Sequence, residues 1–312
     1  MDALAGLLDG PRARGAFLMR SVLEPPFGLR IQDEAPLTLI CVVRGHAWVL
    51  PDRGERVRLG PGDVAVVRGP EPYTVADEPA TKPSTVILPG NHSATLTGDD
   101  LCGPWDLGTR TWGDNPDGST MLLTGAYQLP GEISRRLLDA LPALLVLTAD
   151  SWSCPLIPLL NDEIGKDEPG QDAVLDRLLD LLLIAVLRTW FARAEAPAWY
   201  RAHGDPVVGR ALRTLHHDPA EPWTVERLAA SVGVSRAALA RRFTDLVGEP
   251  PMAYLTAWRL ALAADLLREP DATVGAVARQ VGYGSSFALS AAFKRVRGVS
   301  PQEFRTGSLA PA

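Results

Sequence analysis

Cysteine is scarce in this 312-residue chain: Cys41, Cys102 and Cys154 are scattered and odd in number. That excludes a disulfide framework and offers no cysteine metal spacing, which suits a reducing cytoplasm. A basic excess is missing too, because the net charge is −6. No hydrophobic run is long enough for a membrane: the greasiest stretch, Leu178 to Phe191, is interrupted by Asp180 and Arg188. Met1 to Gly10 carries two acids and no basic start, so no secretory signal is expected. There is no phosphate-cradling glycine loop and no serine in a nucleophile elbow, which removes the commonest nucleotide and hydrolase chemistries. With 46% hydrophobic and 22% charged residues, the chain reads as an ordinary soluble globular protein of about two domains.

The acidic mean hides a split. From Asp205 onward there are 13 basic and 10 acidic residues, against 18 and 27 before it. The last hundred residues are therefore the part suited to a polyanion, though an excess of three implies only weak non-specific affinity. The same region carries a pattern written twice. TVERLAASVG (224–233) returns as TVGAVARQVG (273–282), and Ser235, Leu239, Phe243, Gly248 and Pro251 return 50 residues on as Ser285, Leu289, Phe293, Gly298 and Pro301. Such self-similarity means one supersecondary unit used twice. Thr224, Ser235, Thr273 and Ser285 each stand where a helix should begin, as hydroxyl caps. Gly233 and Gly282 fall at the sharp turns. The unit is thus a helix, a glycine turn and a second helix whose outer face is free for a major groove. Between the copies, Met252 to Arg268 predicts a bracing helix with an apolar stripe of Leu255, Trp258, Leu262 and Leu266. It would hold the two prongs about one turn of B-DNA, ~34 Å, apart.

Before Asp205 the pattern differs. Short β-branched runs at 38–43, 46–50, 63–67 and 85–88 are separated by turn chemistry and predict a small antiparallel sheet or barrel. Asp114 to Ser119 reads as a loop, and Met121 to Leu129 as a further strand. Asp172 to Glu195 predicts a helix with Leu175, Leu179, Leu182, Val186 and Trp190 on one line and Val174, Leu178, Leu181 and Ala185 on a second. Such a wide stripe covers the sheet and, in one reading, a copy of itself in a second subunit. The expected division is a front domain 1–196, a linker 197–205 and a DNA-binding domain 206–306 with motifs at 224–247 and 273–296, followed by a loose tail.

GYGSSFALSAAFKRVRGVSPQEFR (282–305) closely resembles the signature of AraC/XylS-type transcription regulators, and SRAALARRFTDLVGEPPMAYL resembles that family's first reading unit. GPGDVAVVRGPEP (60–72) more loosely resembles cupin-like sensor domains. The resemblance implies an α+β protein of two domains, a small cupin-like β-barrel with C-terminal helices followed by an all-α domain of two helix-turn-helix units. It also implies a dimeric, effector-responsive, cytoplasmic regulator that binds double-stranded DNA and contacts RNA polymerase in some settings. By position, Ala237, Ala240 and Arg241 turn toward bases in the first unit, and Ser286, Phe287, Ser290 and Ala291 in the second. Arg241 is the one long donor among them, suited to a guanine. Arg236, Arg242, Lys294, Arg295 and Arg297 are the phosphate candidates. Cys41, Trp48 and Trp105 are candidates for an effector pocket inside the barrel, where either Cys41 and Val43 or Ile40 and Val42 point inward.

No catalytic residue, metal or cofactor is expected. A metal-bearing cupin needs clustered histidines, whereas His46 stands alone, Tyr73 occupies the place of the later histidine, and His92 sits in a separate loop. His216 and His217 read as surface histidines. Cys41 reads as inert core. Cys102 has no basic residue adjacent in sequence to activate it. The alternatives are a metal-dependent cupin enzyme with a DNA-binding tail, a thiol-based redox-sensing regulator, or a helical protein–protein adaptor.

Overall fold

The computed structural model describes residues 17–128, 137–138, 141–192, 198–267 and 271–308. Met1 to Gly10, the ends of the expected strand at 121–129 and helix at 172–195, Pro197 of the linker, Arg268 of the bracing helix and the last four residues lie outside them. The chain forms two compact units that divide between Trp190 and Phe191. Neither unit holds a helix long and apolar enough to cross a membrane, among the described residues.

The described residues of the first unit form twelve strands: β1 (Phe17–Leu23), β2 (Gly28–Ile31), β3 (Leu37–Arg44), β4 (Ala47–Pro51), β5 (Val57–Leu59), β6 (Val64–Arg68), β7 (Tyr73–Ala76), β8 (Thr85–Leu88), β9 (His92–Thr95), β10 (Thr111–Trp112), β11 (Thr120–Tyr127) and β12 (Leu144–Leu147). They make two six-stranded sheets, in the orders β10-β1-β11-β3-β6-β12 and β5-β4-β7-β2-β8-β9. Side chains alternate across a strand. On β3 this sends Ile40 and Val42 inward, to pack with Ala65, Val67 and Leu122 of their own sheet and with Val49, Tyr73 and Val75 of the other. Cys41 therefore belongs to the opposite face.

That outer face is covered by helices. α1 (Leu156–Ile164) packs on β1 and β3. α2 (Gln171–Phe191) presses Leu179 onto Gly125 of β11, where a methyl group would collide with it. The acid inside this apolar helix is explained by its partner: the Tyr127 hydroxyl donates to Asp180 Oδ1 at 3.1 Å, and both residues are buried. The line Leu175, Leu179, Leu182, Val186 and Trp190 is buried as the spacing predicts. The second line splits. Leu178 is buried, but Val174 and Leu181 are 43% and 50% exposed.

In the second unit every element among the described residues is a helix: α3 (Ala198–Arg201), α4 (Val208–His217), α5 (Val225–Ser231), α6 (Arg236–Val247), α7 (Pro251–Leu266), α8 (Val274–Gln280), α9 (Ser286–Arg297) and α10 (Pro301–Ser308). Residues 198–204 of the expected linker are structured, as α3 and a 3₁₀ turn with Ala202 buried. α7 departs from the single stripe the sequence predicts. Leu255 and Trp258 are buried, Leu262 and Leu266 only half-buried, and Leu260, Ala263 and Ala264 take the deep positions. The reason is that α7 is shared. Its first half meets Phe243 of the first repeat through Tyr254, and its second half joins Val277, Leu289 and Phe293 of the second. A helix clasped from two sides is apolar around most of its circumference.

Candidate nucleic-acid interface

The two reading units are assembled by the same local chemistry. Thr224 Oγ1 accepts from the Arg227 N–H at 3.1 Å, Ser235 Oγ from Ala238 at 3.3 Å, Thr273 Oγ1 from Ala276 at 3.2 Å and Ser285 Oγ from Ala288 at 3.1 Å. All four predicted caps thus close a free backbone donor at a helix start. Between the helices Gly233 and Gly282 sit at φ +77° and +81°, the left-handed region that reverses the chain within a few residues. Leu228, Ala229, Leu239 and Phe243 are buried in the first unit, and Val277, Ala278, Leu289 and Phe293 in the second. Each second helix is therefore anchored by three buried residues on one face, Leu239, Phe243 and Val247 in one and Leu289, Ala292 and Phe293 in the other, and its opposite face stays in solvent.

That free face carries the predicted base readers. On α6, Ala237 and Arg241 are exposed and Ala240 is half-buried. On α9, Ser286, Phe287 and Ala291 are exposed and Ser290 is half-buried. Phe287 is 82% exposed, so its ring stands free at the start of α9. The phosphate candidates are sorted by what already holds them. Lys294 and Arg295 project from the last turn of α9 into solvent. Arg236 pairs with Glu226 at 2.8 Å, both well exposed. Arg242 is gripped by Asp205 at 2.6 and 2.9 Å. Arg297 lies over the rings of Phe293 and Phe304, 5.4 and 5.5 Å from their centroids.

Several supporting residues lay beyond the sequence reading. Asp205 Oδ1 accepts the N–H groups of Val207 and Val208, so one carboxylate caps α4 and tethers the α6 arginine. Desolvation opposes ionisation there, but those backbone bonds and Arg242 outweigh it and hold the Asp205 carboxyl below its usual range. Arg259 donates to the carbonyls of Pro219 and Glu221 at 2.6 and 2.7 Å, tying α7 to the loop before α5. His216 is no surface histidine. It is half-buried, with Nε2 2.6 Å from the Tyr254 hydroxyl and its ring 4.4 Å from Trp258.

The barrel holds a cavity of about 240 Å³. Phe17, Met19, Leu29, Ile31, Ile87 and Trp112 supply its apolar wall, with Asp33, Tyr73 and Ser93 among its polar groups. The pocket candidates named from sequence fall elsewhere. Cys41 is on the helix-covered face of β3. On β4, Ala47 and Val49 enter the core, which sends Trp48 to the other side of the strand. Trp105 stands behind the wall, its ring 4.7 Å from that of Trp112, which does line the cavity. Burial raises the Asp33 carboxyl above its usual range.

Comparison with known sequences agrees with this arrangement. A cupin family profile matches residues 2–192 and a helix-turn-helix domain profile matches residues 228–307. An AraC-like transcription regulator of Streptomyces lividans is 34% identical, over 98% of each chain. The HTH-type transcriptional regulator AlkR of Acinetobacter baylyi is 36% identical, over 99% of this chain and 100% of its own. The crystal structure of the DNA-binding domain of AdpA, a global transcriptional factor, in complex with a target DNA is 36% identical over 33% of this chain and 93% of its own, with a TM-score of 0.31.

Proposed function

Because the chain belongs to the AraC-like transcription regulators with a cupin front domain, we propose that α6 and α9 read an operator in the major groove while the barrel cavity senses a small effector. The observation that carries the DNA-reading half is Phe287. A ring exposed at the start of a helix backed by buried Leu289 and Phe293 is placed to meet a thymine methyl or base edge in the major groove. Ala237, Ala240 and Arg241 in the first unit and Ser286, Phe287, Ser290 and Ala291 in the second form the base-facing set. Lys294 and Arg295 are the foremost phosphate contacts. Arg236 joins them when it leaves Glu226, and Arg242 and Arg297 act from pairs already formed within the unit. With one long donor in seven base-facing residues, much of the discrimination rests on DNA shape and half-site spacing.

The working division is a sensor and dimerisation domain over 1–196 and a DNA-binding domain over 206–306. The effector is small and chiefly apolar, with a polar end that meets Asp33 or Tyr73. The protein acts as a homodimer, through the exposed Val174 and Leu181 edge of α2, and works with RNA polymerase in the cytoplasm. The named relatives are regulators, which favours a non-enzymatic role over catalysis in the barrel. Footprinting on the DNA upstream of its own coding sequence, at fixed salt, tests the reading. Protection of two successive major-groove faces is expected, and only uniform, sequence-independent protection would contradict it.

A further inference from the structure

A cluster of metal-binding side chains stands at the rim of the barrel cavity, away from the DNA-reading helices. It is built by a hairpin. β9 runs from His92 to Thr95, and the chain turns back so that Ala94 pairs with Asp100. In an antiparallel ladder that register sets His92 opposite Cys102. Side chains two apart share a face, so Asp100 and Cys102 stand side by side. The atoms meet accordingly: Cys102 Sγ is 3.7 Å from His92 Nδ1, and His92 Nδ1 is 3.7 Å from Asp100 Oδ1. One donor atom from each residue lies within 4.8 Å of the others, and all three residues are exposed.

We propose that His92 Nδ1, the Asp100 carboxylate and Cys102 Sγ bind a divalent ion of the zinc class, leaving a fourth position for water or an exogenous donor. Zinc–sulfur and zinc–nitrogen bonds of about 2.3 and 2.0 Å place the two ligands about 3.5 Å apart in a tetrahedron. The observed 3.7 Å therefore closes on an ion with a movement of a few tenths of an ångström. A mixed nitrogen, oxygen and sulfur set selects a borderline-soft ion over magnesium or calcium. The surroundings already orient the donors. The Cys102 N–H donates to Asp100 Oδ1 at 3.2 Å, and the Ser93 N–H donates to Cys102 Sγ at 3.3 Å. Because Ser93 and Cys102 also line the cavity, the ion would stand at its edge. The site depends on neither the DNA-reading assignment nor the identity of the effector.

The test is cobalt(II) titration of the full-length, tag-free, reduced protein. One equivalent of cobalt with a thiolate-to-metal charge-transfer band in the near ultraviolet is expected, displaced by zinc. Cys102→Ser abolishes the band, His92→Gln weakens affinity at least about tenfold, and Cys154→Ser leaves both unchanged. In parallel, bound zinc slows alkylation of Cys102 in the unmutated protein by at least about tenfold while Cys154 reacts as before, a readout that needs no variant to fold. A wild-type protein with no thiolate band, a band that survives Cys102→Ser, or an alkylation rate indifferent to zinc overturns the proposal.

Discussion

Arg241 and Arg295 differ in what each can meet. Arg241 lies on the exposed face of α6 one turn beyond Ala237, where a guanidinium can bridge the N7 and O6 of a guanine. Arg295 sits in the last turn of α9, away from the helix start proposed to meet bases, a position suited to a phosphate contact. Arg241→Ala should relax specificity at one base position, costing about 1–3 kcal/mol against the preferred base. Arg295→Ala should weaken all sequences alike and lower the salt slope by about one. Gel shifts over single-base operator variants and a salt series separate the two. The same loss pattern from both variants contradicts the assigned roles. Asp205 makes a second residue-scale case. Its folded-state carboxyl titrates below the unfolded one, so its contribution is complete above the ordinary aspartate range and is lost as pH falls through the depressed value. Asp205→Asn should cost about 1 kcal/mol or more at neutral pH, because it loses the charge opposite Arg242. Its unfolding free energy should also fall less steeply than that of the wild type below about pH 4. Parallel acid profiles in chemical denaturation would remove Asp205 from that role.

Among the elements, the reading units were legible in the sequence because their instructions are local. A hydroxyl cap, a glycine and two apolar residues one turn apart lie within about twenty positions of one another, and the chain repeats them. The barrel was legible only in part. β3, β4, β6, β8 and most of β11 announce themselves as apolar runs. β1 and β2 do not: their partners β11 and β7 stand about 100 and about 45 residues further along the chain, and no local pattern reports such pairings. β10 has just two residues and pairs in parallel with β1. The pairing of His92 with Cys102 was hidden for a related reason: only a fixed hairpin register makes residues ten apart into neighbours, and no run of hydrophobicity reports that register. The inward face of β3 was undecidable in sequence because both faces are buried, one by the second sheet and one by α1. The two turn glycines give an element-scale prediction. Gly233 has open space where a Cβ would stand, whereas at Gly282 it would press on the backbone of Ala220. Gly233→Ala should therefore cost about 1–2 kcal/mol from φ alone, and Gly282→Ala clearly more. Thermal melts of the two variants check the order, and equal losses would mean that the Ala220 loop yields freely.

For the whole molecule, the charge split favours the proposed dimer. A DNA-binding half with an excess of three positive charges, joined to a front half with an excess of nine negative ones, has little reserve of non-specific attraction. One chain with thin base chemistry would hold an operator poorly. Two linked chains gain the effective concentration of the second binding event without any new contact. The surface available for that linkage is the side of α2 that the sheet leaves uncovered, where Val174 and Leu181 stand in water while their neighbours Leu175 and Leu182 are buried. Leu181→Glu places a charge at the centre of that edge and leaves the sheet-facing line intact. Sedimentation should show a dimer becoming a monomer. Affinity for an operator with two half-sites should fall by about a hundredfold, while affinity for a single half-site stays unchanged. If the variant remains a dimer with full operator affinity, subunit pairing uses another surface. If half-site affinity falls as well, the substitution has disturbed the fold, and Val174→Glu on the same edge decides between the two outcomes.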